Sequence, residues 1–408
     1  MPKLSARVES TFASPFRKFL PLAQQAKARG TQVVHLNIGQ PDFLMPPDTL
    51  DGIGDLYQKF IPYGEAEGQM PLRQAWCQYY EKFGVTLDTE ELIITCGASE
   101  GIYFTLMAIA DLNDQIIVPE PFYANYNGFC QMAGVEIVPL FSSIDDGFPI
   151  PGISAFEEAI GPRTKAILLS NPNNPSGKVY NRQMLLDLVG LVRKHDLYLL
   201  VDEAYSEFIY EDFEFIPALS FAGVEKNVVV IDSISKRFNA CGVRVGAIAS
   251  RNTELLQNIA KYSRLRLSPP MLGQTFATRA LQLSNTYHQE LRKDFAERRA
   301  YILHRLDGME GVLYHAPEGA FYLFVRLPID DSDRFCAWLL TDFAHDGRTV
   351  MLSPGTGFYA TPGKGKNEVR IAYILEKPAL EIAMDCLEHA LNVYPGSTKN
   401  TSLSAVSV

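Results

Sequence analysis

The sequence predicts an α/β protein with a mostly parallel, seven-stranded sheet sandwiched by helices and a smaller α/β unit beside it. Three observations carry this expectation. From about residue 50 to 295, short and nearly continuous apolar runs alternate with amphipathic stretches, the pattern of strands buried on both faces. Polar turn motifs follow the ends of several of these runs, where open α/β sheets place ligands. A long polar-faced helix is expected over about 285–310, and a second, shorter alternation follows Glu310.

Residues 14–30 read as a helix with Gly30 as its stop, and 33–38 as a short strand containing a packed His35. Seven strand candidates follow at 92–94, 115–118, 135–140, 166–169, 197–201, 228–231 and 245–249. The smaller unit takes strands at 319–325 and 370–374 and a final helix from Pro378. The N-terminal segment is expected to pack with it. The expected division is an arm over 1–13, a discontinuous small domain over 14–49 and 296–394, a large domain over 50–295, and a mobile tail over 395–408.

Composition narrows the class. With 408 residues the chain can bury a large core, and 47% hydrophobic with 21% charged residues is ordinary for a globular protein. A net charge of −10 argues against wrapping a nucleic acid. The six cysteines are scattered, with no C-x-x-C pair and no Cys/His cluster, so neither a metal site nor a disulfide framework is indicated. They read as reduced thiols, and the first residues lack a signal-peptide core. No run reaches the roughly 18 apolar residues of a membrane span. The expected location is the cytoplasm.

The chemistry centres on Lys236, in the run Ser233-Ile-Ser-Lys-Arg-Phe-Asn-Ala-Cys-Gly-Val-Arg-Val-Gly246 after the apolar stretch 228–231. A lysine at the mouth of a strand can be desolvated, which favours a neutral amine able to form a Schiff base. Ser233 and Arg244 flank it, and a hydroxyl and a guanidinium beside an amine suit a phosphate-bearing aldehyde. Gly97-Ala-Ser-Glu100 stands between a strand and a helix, so the amides of Ala98 and Ser99 form an anion site. Asp202 ends a buried strand and needs a partner; read alone, it is equally an N-capping aspartate. Arg370 lies in an apolar strand, where its planar fork suits a carboxylate or a structural ion pair. Asn171-Pro-Asn-Asn-Pro-Ser-Gly177 by itself is a turn.

Together these motifs, with Asp202-Glu-Ala-Tyr205 and Val369-Arg-Ile-Ala372, resemble the fold-type-I, pyridoxal-phosphate-dependent aminotransferases of class I/II, over roughly residues 14 to 393. The resemblance implies that Lys236 carries pyridoxal 5′-phosphate and moves protons, and that Asp202 faces the pyridine nitrogen. It implies that Asn174 and Tyr205 reach the ring oxygen, and that Tyr123 stacks on the ring. Ala98, Ser99, Ser233 and Arg244 would cradle the phosphate. Arg370 would hold the substrate α-carboxylate, with the Gly39 backbone beside it. Some relatives have a histidine near the aspartate where this chain has Tyr126. Tyr63, in Tyr-Gly-Glu-Ala-Glu-Gly68, would reach the phosphate of a neighbouring subunit, implying a homodimer with shared sites.

The implied reaction is transamination between an amino acid and a 2-oxo acid such as 2-oxoglutarate. A β-lyase or other elimination on the same fold would use the same lysine. A non-enzymatic effector-sensing domain of this fold would need a fused DNA-binding domain. For the donor, the basic stretch 261–270 contains Arg266 before a Pro-Pro turn, where the resemblance implies a loop near the partner's pocket, and a cation there would favour acidic side chains. Phe16, Tyr322 and Phe358 would instead favour aromatic or aliphatic donors. Gly355 and Gly357 read as turn glycines near the pocket.

Overall fold

The computed structural model describes residues 2–5, 8–9, 11, 14–15, 17–54, 60–210, 213–223 and 225–399. Phe16 and the tail beyond residue 399 lie outside this set, as do several residues of the expected arm. Strand β1 is Gln32–His35. The central sheet takes β2 (Leu92–Thr95), β3 (Gln115–Glu120), β4 (Glu136–Phe141), β5 (Thr164–Ser170), β6 (Tyr198–Asp202), β7 (Val228–Ser233) and β8 (Gly246–Ala249). Their order is β2-β8-β7-β6-β5-β3-β4. All pairings are parallel except those of β8, which is antiparallel to both neighbours. The seven runs expected from the sequence are therefore the seven strands of one sheet.

Apolar residues cover both faces. Ile94, Ile117, Leu169, Val201 and Val230 join one core cluster, and Ile93, Ile116, Leu168, Leu200 and Val229 join another. Alternate residues of the same strands feed opposite clusters, as the two-residue period of a strand requires. Pro139 sits in β4, an edge strand, where a missing N–H breaks no inner ladder.

The C-terminal part adds β9 (Leu313–Tyr314), β10 (Tyr322–Arg326), β11 (Arg348–Met351), β12 (Ser353–Pro354) and β13 (Glu368–Ala372). Strands β12-β13-β10-β9 form an antiparallel sheet, while β11 pairs in parallel with β1. The N-terminal segment thus joins this layer, and Phe19, Ala23 and Val34 share a core with Phe335 and Leu387. The long helix Asn285–Asp307 leads into it, and the helix Lys377–Val393 closes the chain's regular structure.

One expectation changes. The N-terminal helix runs only from Leu20 to Ala28, not from residue 14. Pro21 lies in its first turn, where a missing N–H costs nothing; inside a longer helix it would break the ladder. The first residues after Pro395 bond back to the 328–330 segment. Asp330 N donates to Gly396 O at 3.0 Å, and Thr398 N donates to Pro328 O at 3.0 Å.

Candidate active site

Lys236 sits on the single turn Ile234–Arg237 that follows β7. Ser233 begins that turn; its hydroxyl accepts from Ser235 N at 3.2 Å and lies 2.8 Å from the Ser235 hydroxyl. The turn aims Lys236 across the cleft, where Nζ donates to the Gly39 carbonyl at 2.6 Å. The Cys241 thiol is 3.7 Å from the same nitrogen. Both Gly39 and Lys236 line a cavity of about 710 Å³.

Asp202 ends β6 and is buried at the cavity wall. Oδ2 accepts from the Tyr126 hydroxyl at 2.9 Å, and Oδ1 accepts from Ala204 N at 3.1 Å. Burial pushes its carboxyl up to about 6, against the pull of these two donors. Tyr123 also faces the cavity; Asn125 Nδ2 donates to its hydroxyl at 2.8 Å, and burial raises that phenol to about 12.

The helix Ala98–Ile109 opens onto the same space through Ala98 and Ser99. Its first amides have no acceptor within the helix and carry the positive end of its dipole. Arg244 arches over this start, donating to Cys96 O at 3.2 Å and Cys241 O at 2.9 Å. Gly97, at φ +83°, leaves room for it: a Cβ there would lie 2.5 Å from the Arg244 guanidinium. Helix start, guanidinium and the Ser233–Ser235 hydroxyls make a compact cradle for a dianion.

Arg370 is buried in β13 and lines the same cavity. It donates to Asn37 O at 2.7 Å and to Asn174 Oδ1 at 3.0 Å, and stacks 4.2 Å from the Tyr322 ring. Burial pulls its guanidinium down from the ordinary range. The hydroxyl of Tyr205 lies 2.8 Å from that of Tyr322 and 3.5 Å from Asn174 Nδ2. Gly39 is required by its neighbour, because a Cβ there would sit 1.7 Å from the Tyr322 hydroxyl.

The cavity therefore gathers the expected residues from β5, β6, β7, β13 and the start of the helix Ala98–Ile109. Two residues stand apart. Tyr63 lines no part of it and is 80% exposed. Arg266 also lies off it and has partners of its own. Its Nη2 donates to Ala66 O at 3.2 Å and Ile94 O at 3.3 Å, and its Nε lies 3.5 Å from Glu100. It ties Ala66 to β2 and to the helix start. Ser235, Asn37 and Arg17 line the cavity without having been singled out from the sequence. The paired hydroxyls of Ser233 and Ser235, bracketing one apolar residue before the lysine, were the legible signal for the first.

The donor set can be tested against a phosphorylated pyridine aldehyde. It offers an amine at Lys236, a buried carboxylate suited to a cationic ring nitrogen at Asp202, an aromatic face at Tyr123, and a dianion cradle at residues 98–99 and Arg244. Each functional group of that molecule meets a complementary one, so the residues present fit it. Among the described residues no His/Cys/Asp/Glu group could hold a metal ion.

Comparison with known proteins places this geometry. Residues 31–387 match the family described as aminotransferase class I and II. The chain is 31% identical to the aspartate aminotransferase of Thermotoga maritima over 398 residues, covering 93% of this chain and 97% of that one. It is 29% identical to the aspartate aminotransferase of Pyrococcus horikoshii, covering 88% of this chain and 90% of that one. The solved structure of an alanine aminotransferase from Pyrococcus furiosus superposes with a TM-score of 0.86 at 28% identity, over 95% of this chain and 99% of that one. Sequence and fold agree over nearly the whole length, and the chain belongs to the class I and II aminotransferases.

Proposed function

We propose that this aminotransferase uses pyridoxal 5′-phosphate to move an amino group between an amino acid and a 2-oxo acid, with 2-oxoglutarate as an acceptor. One observation carries the reading. The Lys236 amine, the Asp202 carboxylate and the Arg370 guanidinium come from three separate strands or strand ends and meet on one cavity. Stability alone does not call for a buried arginine on a cavity that also holds a lysine amine, and a carboxylate-bearing substrate does.

When bound, the cofactor supplies an electron sink for the negative charge left as the α-proton departs. The chain's residues do the rest. Ala98, Ser99, Ser233, Ser235 and Arg244 would hold the phosphate. Asp202, oriented by Tyr126 and Ala204, would keep the ring nitrogen protonated. Tyr123 would cover the ring face, and Asn174 and Tyr205 would reach its oxygen. Arg370 and Asn174 would fix the substrate α-carboxylate and so set the angle of its Cα–H bond. Lys236 Nζ would take the α-proton and return it.

The chain would work as a homodimer in the cytoplasm. Phe60, Ile61, Tyr63, Leu265 and Leu267 are exposed large hydrophobics, and the backbone at Gly64 abuts Ser268 and Met271, so the two stretches meet on one surface. All six cysteines are free, in keeping with a reducing compartment. The proposed division is a cofactor-binding domain over 50–295 and a smaller one made of 14–49 and 296–394.

Borohydride treatment of the cofactor-loaded protein should fix the cofactor to the peptide containing Lys236. Lys236→Ala should lower turnover at least 10²–10⁴-fold, the usual contribution of a positioned acid–base group. Near-normal transamination by that variant would refute the assignment.

A further inference from the structure

Two nucleophiles face each other on the cavity wall. Lys236 Nζ lies 3.7 Å from Cys241 Sγ, and both residues line the cavity. That is little more than the roughly 3–3.5 Å at which atoms about to bond stand. The backbone between them sets the contact. Beyond the turn Ile234–Arg237, Asn239 N donates to Lys236 O at 3.3 Å and Ala240 N to Ser235 O at 3.0 Å. The chain thereby folds back and returns residue 241 to the lysine. Each reactive atom has a further anchor: Nζ donates to the Gly39 carbonyl at 2.6 Å, and the Cys241 thiol to the Ser235 carbonyl at 3.3 Å.

Cys241 differs from the other cysteines. Cys77, Cys130, Cys336 and Cys386 are buried. Burial pushes their thiols up, and that of Cys96 as well, which keeps the reactive thiolate scarce. Cys241 is half-buried and opens on the cavity, and the Arg244 guanidinium donates to its carbonyl at 2.9 Å. A thiol within reach of solvent and beside cationic groups is the setting in which cysteines are oxidised selectively. The proposed transamination gives this thiol no part.

We propose that Cys241 and Lys236 form an oxidation site, at which a hydroperoxide joins them through a reversible sulfur–nitrogen bond. Its effect on turnover rests on the proposed function, which makes Lys236 the working amine. The thiol first attacks the peroxide. Its sulfur gains a hydroxyl, the O–O bond breaks, and water or an alcohol leaves with the thiol proton. Sulfur is oxidised by two electrons and the peroxide is reduced by two. The Lys236 Nζ lone pair then attacks Sγ, the S–O bond breaks, and the hydroxyl leaves as water with an amine proton. Small thiols reverse the link. One attacks Sγ and frees the amine, which takes the thiol proton; a second displaces the first as a disulfide and restores Cys241. While linked, Nζ can neither hold the cofactor nor move the α-proton. The amine is free in the cofactor-free chain and while the cofactor holds the amino group, so the site is open in those states and closed when the cofactor occupies Lys236.

Hydrogen peroxide is the probe and peptide mass spectrometry the readout. In the cofactor-free protein, and in the loaded protein with excess glutamate, the peptides carrying Lys236 and Cys241 should appear joined and lighter by two hydrogen atoms. The loaded protein without glutamate should lose most of the link. Dithiothreitol should remove the link and restore cofactor loading, followed by absorbance. Cys241→Ser should lose the link and Cys96→Ser should keep it. Cys241 oxidised to the sulfinic acid with Lys236 unlinked, a Cys241 that stays reduced, or a link that survives Cys241→Ser overturns the proposal. So does a loaded protein that gains no link when glutamate is added. If the cofactor never binds Lys236 and the link still forms in the cofactor-free protein, the proposed function fails and the oxidation site stands.

Discussion

The Tyr126 hydroxyl donates a 2.9 Å hydrogen bond to Oδ2 of Asp202, and both groups are buried. Some relatives are expected to place a histidine near this aspartate. A phenol differs from an imidazole because it cannot become a cation here; burial drives its own pKa well above the usual value. Tyr126 therefore orients Asp202 and supports its ionised form by hydrogen bonding alone.

This arrangement has a pH signature in the cofactor-free protein. Burial raises the Asp202 carboxyl from the ordinary 3.8 to about 6. A raised carboxyl favours the folded state when protonated. Its contribution is complete below the unfolded value and lost as pH rises through about 6. The cost above that pH is on the order of 3 kcal/mol. Asp202→Asn removes the cost, so the variant should melt higher than wild type at neutral pH, and the gap should close towards acid. With pyridoxal phosphate bound the gap should invert, because the carboxylate then faces a cation. Melting curves with and without cofactor measure this. A gap that stays flat across the acid-to-neutral range sinks the idea.

The residue after the lysine has a different task. Arg237 is fully buried, pairs with Asp232, donates to Ser206 Oγ at 3.2 Å, and lies 4.3 Å from the Tyr79 ring. Trp76 Nε1 donates to Asp232 Oδ2 at 3.0 Å. This cluster anchors the turn that aims Lys236. Removing one ion of a buried pair strands the other, at a cost of about 3–5 kcal/mol. Arg237→Met should therefore lower the melting temperature sharply. Arg237→Met with Asp232→Asn should recover much of the loss, because no charge remains stranded. If the double variant is as unstable as the sum of two single losses, charge stranding is not the cause.

Much of this was legible in the sequence, for a physical reason. Strands buried on both faces must be apolar throughout, so β5, β6 and β7 announce themselves. The groups at their ends, Asn174, Asp202 and Lys236, are conspicuous because polar residues interrupt that pattern. What was not legible depends on partners far apart in the chain. Nothing in the run containing Arg266 shows that Glu100 and the carbonyls of Ala66 and Ile94 engage it. Arg17 stands among apolar and basic neighbours, Phe16, Lys18, Phe19 and Leu20, and the run itself does not show that it lines the cavity. Hydropathy likewise could not show that residues 396–398 bond back to 328–330.

The proposed shared-site dimer makes a prediction that monomer chemistry does not. Tyr63 is 80% exposed and lies off its own chain's cavity, with Phe60 at 73% and Leu265 at 82% exposure. An exposed apolar set of this kind is better explained by a covering partner than by solvent. If Tyr63 serves the neighbouring subunit, each site combines Lys236 of one chain with Tyr63 of the other. Lys236→Ala chains mixed with Tyr63→Phe chains then form heterodimers in which one site carries both lesions and the other carries none. Activity after unfolding and co-refolding should rise above that of either parent. If each site uses its own Tyr63, every heterodimer site carries one lesion, and activity should only equal the mean of the two parents. Subunit mixing is checked independently by tagging one chain and isolating the mixed species, so an absent gain with confirmed heterodimers counts directly against shared sites.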